Sequence, residues 1–378
     1  MKSYSFVFLI FGCSTTALAN ADSDEWDLDL KATPRARLFS DFTKFDSDVT
    51  PLTSANRLGS ARLGVSGTIT TKTTFLFEVE YRDKYNFGGE AQTRYAVVSH
   101  EFSNGIFSSI GQTDEPFGLE AFTSNRYTTF IDRALPFAFV PFYHVGAIIG
   151  KASDRGGVAI GKFGKTVGQS NHDDGDGWSG RMFYSPVKSE SVIWHIGTGV
   201  SRRYPSAHAA RYSSRPESSV TNVKFVDTGL IRDVRWAESR NIESVYINNG
   251  FSVQSEIFVT EVDRFSGKSD YRFNGGYVYV SYILGQASRK FDNGKGVFKG
   301  LKRSVASHNV WEIALRASEI SLNDGELEGG RERNYTLGLN WYWSDDIRIM
   351  LNHTQVKSEK GALADDPSFW ALRLQVGF

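Results

Sequence analysis

Residues 171–177 read Asn171-His172-Asp173-Asp174-Gly175-Asp176-Gly177, a run of oxygen ligands that invites comparison with a calcium-binding loop. The spacing fails in detail. Setting Asp176-Gly177 on the Asp-Gly step of such a loop puts His172 at the first ligand position and Phe183 where a bidentate glutamate is required, so a solvated surface loop is expected. The seven histidines, at 100, 144, 172, 195, 208, 308 and 353, show no zinc-like spacing with one another or with cysteine. No Gly-x-Ser-x-Gly elbow and no phosphate-cradling Gly-x-x-x-x-Gly-Lys-Ser/Thr loop occurs. The chain is therefore read as a non-enzyme, with no catalytic residue, no metal site and no cofactor.

Charge that could act without chemistry is concentrated elsewhere. Residues 113–143 form a stretch too long for a hairpin connection, and such stretches are functional or disordered. Its aromatic residues disfavour disorder. A loop that mixes apolar anchors with Asp114, Glu115, Glu120, Arg126, Asp132 and Arg133 can fold into a lumen and narrow it, because rings of charge at a constriction set ion preference.

The elements that would position such a loop are strands. Trp370, Leu372, Leu374, Val376 and Phe378 alternate with Ala371, Arg373, Gln375 and Gly377. Tyr335, Leu337, Leu339, Trp341 and Trp343 alternate with Thr336, Gly338, Asn340 and Tyr342, and after a turn at Ser344-Asp345 the pattern resumes at Ile347. Ala61, Leu63 and Val65 alternate with Arg62, Gly64 and Ser66; Phe75, Phe77, Val79 and Tyr81 alternate with Leu76, Glu78, Glu80 and Arg82. Asn248-Asn249-Gly250 marks a tight turn. Sixteen such segments run from near Leu28 to Phe378, at about 22 residues per strand plus connection, which suits a closed antiparallel transmembrane β-barrel. Apolar faces would then meet lipid and polar faces water. Periodicity places Glu78, Glu80, Arg82, Glu312, Arg316 and Arg373 on the lumen lining, and Trp341, Trp343, Trp370 and Phe378 in interfacial girdles.

Composition agrees. Glycine is abundant (36), proline scarce (9) and aromatic residues reach 14%. The mean hydropathy of −0.32 and the broken apolar runs exclude a helical membrane protein. Lys2, the apolar run from Phe6 to Phe11 and Ala17-Leu18-Ala19 read as an export signal over residues 1–19, leaving residues 20–378 as the barrel, with 113–141 as its constriction loop. Cys13 would leave with the signal, so no disulfide is expected. Basic and acidic residues balance at 43 each, which gives no footprint for nucleic acid. Arg289-Lys290, Lys295, Lys299 and Lys302-Arg303 make a basic, glycine-containing stretch between two strands, expected as a long solvated periplasmic turn.

Several motifs together resemble one family. Gly111-Gln112, Glu115-Pro116-Phe117-Gly118-Leu119-Glu120, Thr123-Ser124, Phe130 and Arg133-Ala134-Leu135-Pro136 look like the loop signature of the phosphate-selective porins O and P. Ala61-Arg62-Leu63-Gly64, Arg215-Pro216-Glu217, Trp311 to Arg316 and Leu337 to Trp341 agree in order along the chain. The resemblance implies a sixteen-stranded barrel with the third loop in its lumen, a homotrimer, lying among outer-membrane lipid and lipopolysaccharide of a Gram-negative bacterium. It also implies passive diffusion of small hydrophilic solutes, with phosphate and other anions as the candidate class, past Arg62, Arg126 and Arg133. Gly59-Ser60 and Asp114 stand where the family pattern carries basic residues, so weak anion preference is expected. Two other readings stand beside this one. The three arginines could pair with Asp132, Glu115 or Glu120 and only pin the loop, or the barrel could be plugged and serve a structural or enzymatic role.

Overall fold

Strands with one apolar and one polar face can bury either, and the direction chosen decides the architecture. In the computed structural model, residues 28–82, 89–167, 175–265, 267–303 and 309–378 are described, with the side chain of Arg82 left out. The first half of the sheet runs β1 Lys31–Asp46, β2 Ala55–Thr68, β3 Thr73–Arg82, β4 Glu90–Glu101, β5 Ile106–Asp114, β6 Tyr143–Ala152, β7 Gly156–Phe163 and β8 Asp176–Lys188. The second half runs β9 Val192–Tyr204, β10 Val234–Asn248, β11 Phe251–Arg264, β12 Tyr271–Leu284, β13 Val310–Asp324, β14 Leu327–Tyr342, β15 Ile347–Lys360 and β16 Ser368–Gly377. Each pairs antiparallel with its neighbour, and β1 closes on β16 from Arg37↔Gly377 to Asp46↔Ser368, giving a ring of sixteen strands. Closure leaves no strand edge unpaired toward lipid. The proposed signal at residues 1–19, Cys13, His172, His308 and residues 171–174 lie outside the described residues.

The apolar faces point out. Ile257 is 64% exposed and Leu315 57%, whereas the intervening inward residues Glu256 and Glu312 are 1% and 0% exposed. A soluble sandwich would show the reverse. Trp311, Trp341 and Trp343 stack on the outer surface beside the turn at 343–346, with ring centroids 5.4 and 5.5 Å apart, as an interfacial girdle. Leu315→Arg is expected to cost about 2–4 kcal/mol in urea unfolding from phospholipid bilayers. Ser66→Arg, on the partly exposed inner wall, should stay within about 0.5 kcal/mol of the parent. Equal costs would refute the assignment of faces.

One end of the ring carries short turns, such as 69–72, 189–191 and 249–250, and by the usual asymmetry of such barrels that end faces the periplasm. The exception is the connection that follows β12, described over residues 285–303. Its strands Ala287–Asp292 and Val297–Arg303 form a hairpin that turns back into the barrel, with Arg289 4% exposed and Phe298 1%. This corrects the expectation of a solvated turn. Its buried residues Phe291 and Phe298 are apolar and need cover, while Lys290, Lys295 and Lys302 occupy the exposed face.

From the opposite end two long connections enter. Residues 115–142 and 205–233 bring Phe117, Phe130, Leu135, Phe139, Val226 and Ile231 into one buried cluster with the inward Phe258, Val262, Phe273 and Ile320. A second cluster joins Ile131, Val220 and Phe225 to Phe45, Met350 and Phe369. Apolar side chains on inward strand positions thus mark where a loop lies against the wall. In the 205–233 connection Arg211 grips Asp227, and those hydrogen bonds hold the Asp227 carboxyl below its usual range.

Candidate functional site

The inner wall has two characters. On β10 to β15 the inward side chains are buried under the two long connections and the hairpin, for example Glu243, Gln254, Glu312 and Asn340 at 0–2% exposure. On β2 to β4 the inward Ser66, Leu76, Gln92, Tyr95, Val97 and Ser99 keep partial exposure, while Ser60, Arg62, Glu78 and Glu80 are buried. Space inside the barrel therefore lies beside those six partly exposed side chains.

That wall carries interlocked charges. Arg62 on β2 donates through Nε to Glu80 at 2.8 Å and through Nη1 to Glu78 at 3.1 Å, both on β3, while the Ser60 hydroxyl also donates to Glu80. Arg35 lies 3.8 Å from Glu78. Arg94 on β4 pairs with Asp114 at 2.6 Å, and its guanidinium lies over the rings of Tyr95 and Tyr143 at 4.7 and 4.0 Å. The Tyr95 hydroxyl donates to the other Asp114 oxygen. Asp114, with Thr113, ends strand β5 rather than opening the loop. Its negative charge is balanced by Arg94, which the expectation of weak anion preference did not include.

The 115–142 segment faces this wall. Arg37 on β1 donates to the Asn125 side chain, and Arg133 is within electrostatic reach first of Glu120, then of Asp114, Arg94 and Tyr95. Arg133 donates to the carbonyls of Glu120, Ala121 and Thr123 and lies over the Phe137 ring. Among the described residues, no carboxylate lies within ion-pair distance of Arg37 or Arg133.

The other loop charges lie elsewhere. Glu115 is buried against Ser179, His144 at 2.7 Å and Arg203 at 2.9 Å. Arg126 reaches the periplasmic turn and pairs with Asp346 at 2.9 Å. Asp132 accepts from the Ser219 amide at 2.9 Å, tying the two long connections together. Glu120 accepts from the Ala134 amide at 3.0 Å and lies 3.8 Å from Arg316. Arg62 and Arg126 thus do pair, with partners other than Asp132, Glu115 or Glu120, while Arg133 binds only backbone carbonyls among the described residues.

Three inward residues are covered rather than wet. Glu312 accepts from Asn340 at 3.0 Å and Tyr342 at 2.6 Å and lies 3.5 Å from Arg289 of the hairpin. Arg316 binds Glu217 at 2.6 Å and the Asp132 carbonyl at 3.0 Å. Arg373 clasps both Asp41 oxygens and the Ile131 carbonyl. Sequence reasoning missed Arg37, Arg94, Arg181, Arg203, Glu217, Glu243 and Glu256. The inward ones were available from strand periodicity, as with Arg203 opposite Tyr204 and Arg202 on β9; their partners were not.

A closed ring with an apolar exterior and a charged, loop-lined interior defines a porin-type barrel of the Gram-negative outer membrane, a channel rather than an enzyme. The chain belongs to the phosphate-selective porin O and P family, whose profile matches residues 34–378. Porin O of Pseudomonas aeruginosa is 20% identical over 383 residues, spanning 90% of this chain and 87% of that relative. The anion-selective porin from Comamonas acidovorans shares the fold at a TM-score of 0.60 and 13% identity, over 92% of this chain and 99% of that one. OmpT of Vibrio cholerae, in its trimer form, shares it at 0.59 and 12% identity, over 92% and 99%.

Proposed function

We propose that small hydrophilic anions, phosphate among them, pass between the 115–142 segment and the inner wall of β1 to β5. One observation carries this reading: among the described residues Arg37 and Arg133 have no carboxylate within ion-pair distance, while Arg35, Arg62 and Arg94 offset Glu78, Glu80 and Asp114 one for one. The unbalanced charge of the passage is guanidinium, and in a narrow, weakly screened space it favours anions. The proteins similar to this chain support the class, one being described as an anion-selective porin.

Reversal potentials across a planar bilayer under a potassium chloride gradient test it. Anion preference is the expected sign, and Arg133→Gln should reduce it roughly fivefold, the equivalent of about 1 kcal/mol of attraction. A cation-selective parent, or an Arg133→Gln variant with parental selectivity, sinks the assignment. A homotrimer is also proposed, in line with the trimer form of the similar OmpT. Mass determination in detergent checks it, and a monomer would reject it. Outer-leaflet lipid and lipopolysaccharide are proposed as the surroundings of the apolar belt.

A further inference from the structure

A carboxylate of the inner wall with both oxygens fully occupied holds the loop rather than the solute. Glu256, on β11 and 1% exposed, accepts through Oε1 from the Leu119 amide at 2.7 Å and the Asn241 side chain at 2.9 Å. Its Oε2 accepts from the Glu120 amide at 2.9 Å and the Tyr277 hydroxyl at 2.6 Å. All four donors are neutral, and among the described residues no Lys, Arg or His nitrogen lies within ion-pair distance. Leu119 and Glu120 open the single helical turn Leu119–Phe122, whose preceding residue, Gly118, has no side chain to cap it. Glu256 therefore supplies from the wall what a capping side chain supplies within a chain. Gly118 takes φ 72°, a backbone conformation that side-chain-bearing residues rarely adopt; a Cβ there would meet Glu256 Oε1 at an ordinary 3.5 Å, so it is the backbone, not the space, that calls for glycine.

The geometry points to Glu256 as the positioning residue of the constriction, with its hold on the loop set by its own proton. Ionised, it binds both loop amides through charge-assisted hydrogen bonds, which are about twice as strong as neutral ones. Protonated, it gives up one acceptor position while the four donors remain, and the amides of Leu119 and Glu120 are held less firmly. The groups around it are Gln254 on its own strand, Asn241 and Glu243 on β10, Tyr277 and Tyr279 on β12, and Glu120 on the loop. Glu243 is itself held by Arg181 on β8 and His195 on β9, and Arg316 on β13 lies toward Glu120.

This inference rests on the reading that residues 115–142 bound the conducting path. The test is single-channel recording of the purified protein in planar bilayers from about pH 8 to about pH 4, spanning the range in which carboxyl groups take up protons. Wild-type protein should show, on acidification, about a tenfold rise in time spent in loop-released conductance substates. Glu256→Gln should show them at every pH and lose the pH dependence, while Glu120→Gln keeps it. Gly118→Ala reaches the same contact from the loop side and should also release the loop at neutral pH, so the test does not depend on Glu256→Gln folding. A wild-type channel without pH-dependent substates, a Glu256→Gln profile that follows the parent, or pH dependence lost in Glu120→Gln instead would overturn the assignment. A protein that does not conduct at all would instead refute the porin path itself.

Discussion

Replacing residues 287–303 by an Asn-Gly turn should raise single-channel conductance by roughly a factor of two, because a sixteen-stranded barrel is wide enough for an aqueous channel wherever its own segments do not fill it. Among the described residues the hairpin is one of three inserted segments and the only one entering from the turn end. It is held at named points: Arg181 donates to the carbonyls of Lys295 at 3.0 Å and Gly296 at 2.6 Å, Ser185 binds Asn293 at 2.9 Å, and Arg289 binds Tyr342 at 3.0 Å. Phe291 and Phe298 pack with Leu119, Val245 and Ile247. Removing the hairpin admits water, so the charges it covered are solvated rather than stranded. Arg181 keeps Glu243. The barrel should therefore survive the deletion and remain heat-modifiable on gels. Unchanged conductance would mean that the hairpin does not occupy the lumen in the membrane.

A comparably large effect is expected from Arg316→Met, on stability rather than conductance. Arg316 is 3% exposed, lies 4.3 Å above the Phe130 ring, and is the cation that offsets Glu217. Glu217 in turn accepts from the Leu135 amide at 3.1 Å and the Thr336 hydroxyl at 3.3 Å, so one carboxylate ties both long connections to β13 and β14. Without Arg316 the carboxylate is buried and uncompensated, a loss of about 3–5 kcal/mol. Urea unfolding in lipid measures it. The double variant Arg316→Met with Glu217→Gln should recover most of the loss, because removing both charges is far cheaper than removing one. Purely additive effects would show that the pair is not coupled.

The barrel was legible in the sequence because period-two alternation is a local property. Trp370 through Gly377, and Tyr335 through Asn352, sit on the faces their spacing indicates, and Asn249 and Gly250 make the tight turn between β10 and β11. The charged residues were harder to place, since facing inward does not say whether a residue meets water, a loop or an opposite charge. Arg203 and Glu115 are 88 residues apart, and Arg373 and Asp41 are 332 apart. No local pattern connects such pairs. The basic stretch from Arg289 to Arg303 misled for a related reason: its lysines suggest solvent, but they occupy one face of a hairpin whose other face carries Arg289, Phe291 and Phe298. Two-residue alternation was present there too, in a segment too short to announce itself as a strand pair.

Because the interior is packed along β10 to β15 and partly open beside Ser66, Leu76, Gln92, Val97 and Ser99, the cylinder is made of two materials. The packed stretch behaves like a globular core, where a lost methylene or hydroxyl costs stability; the open positions behave like pipe, where substitution changes flow but seldom folding. An engineer who wants a different cargo can therefore rewrite those positions, and should leave the packed stretch and the buried pairs of Arg62 and Arg94 alone.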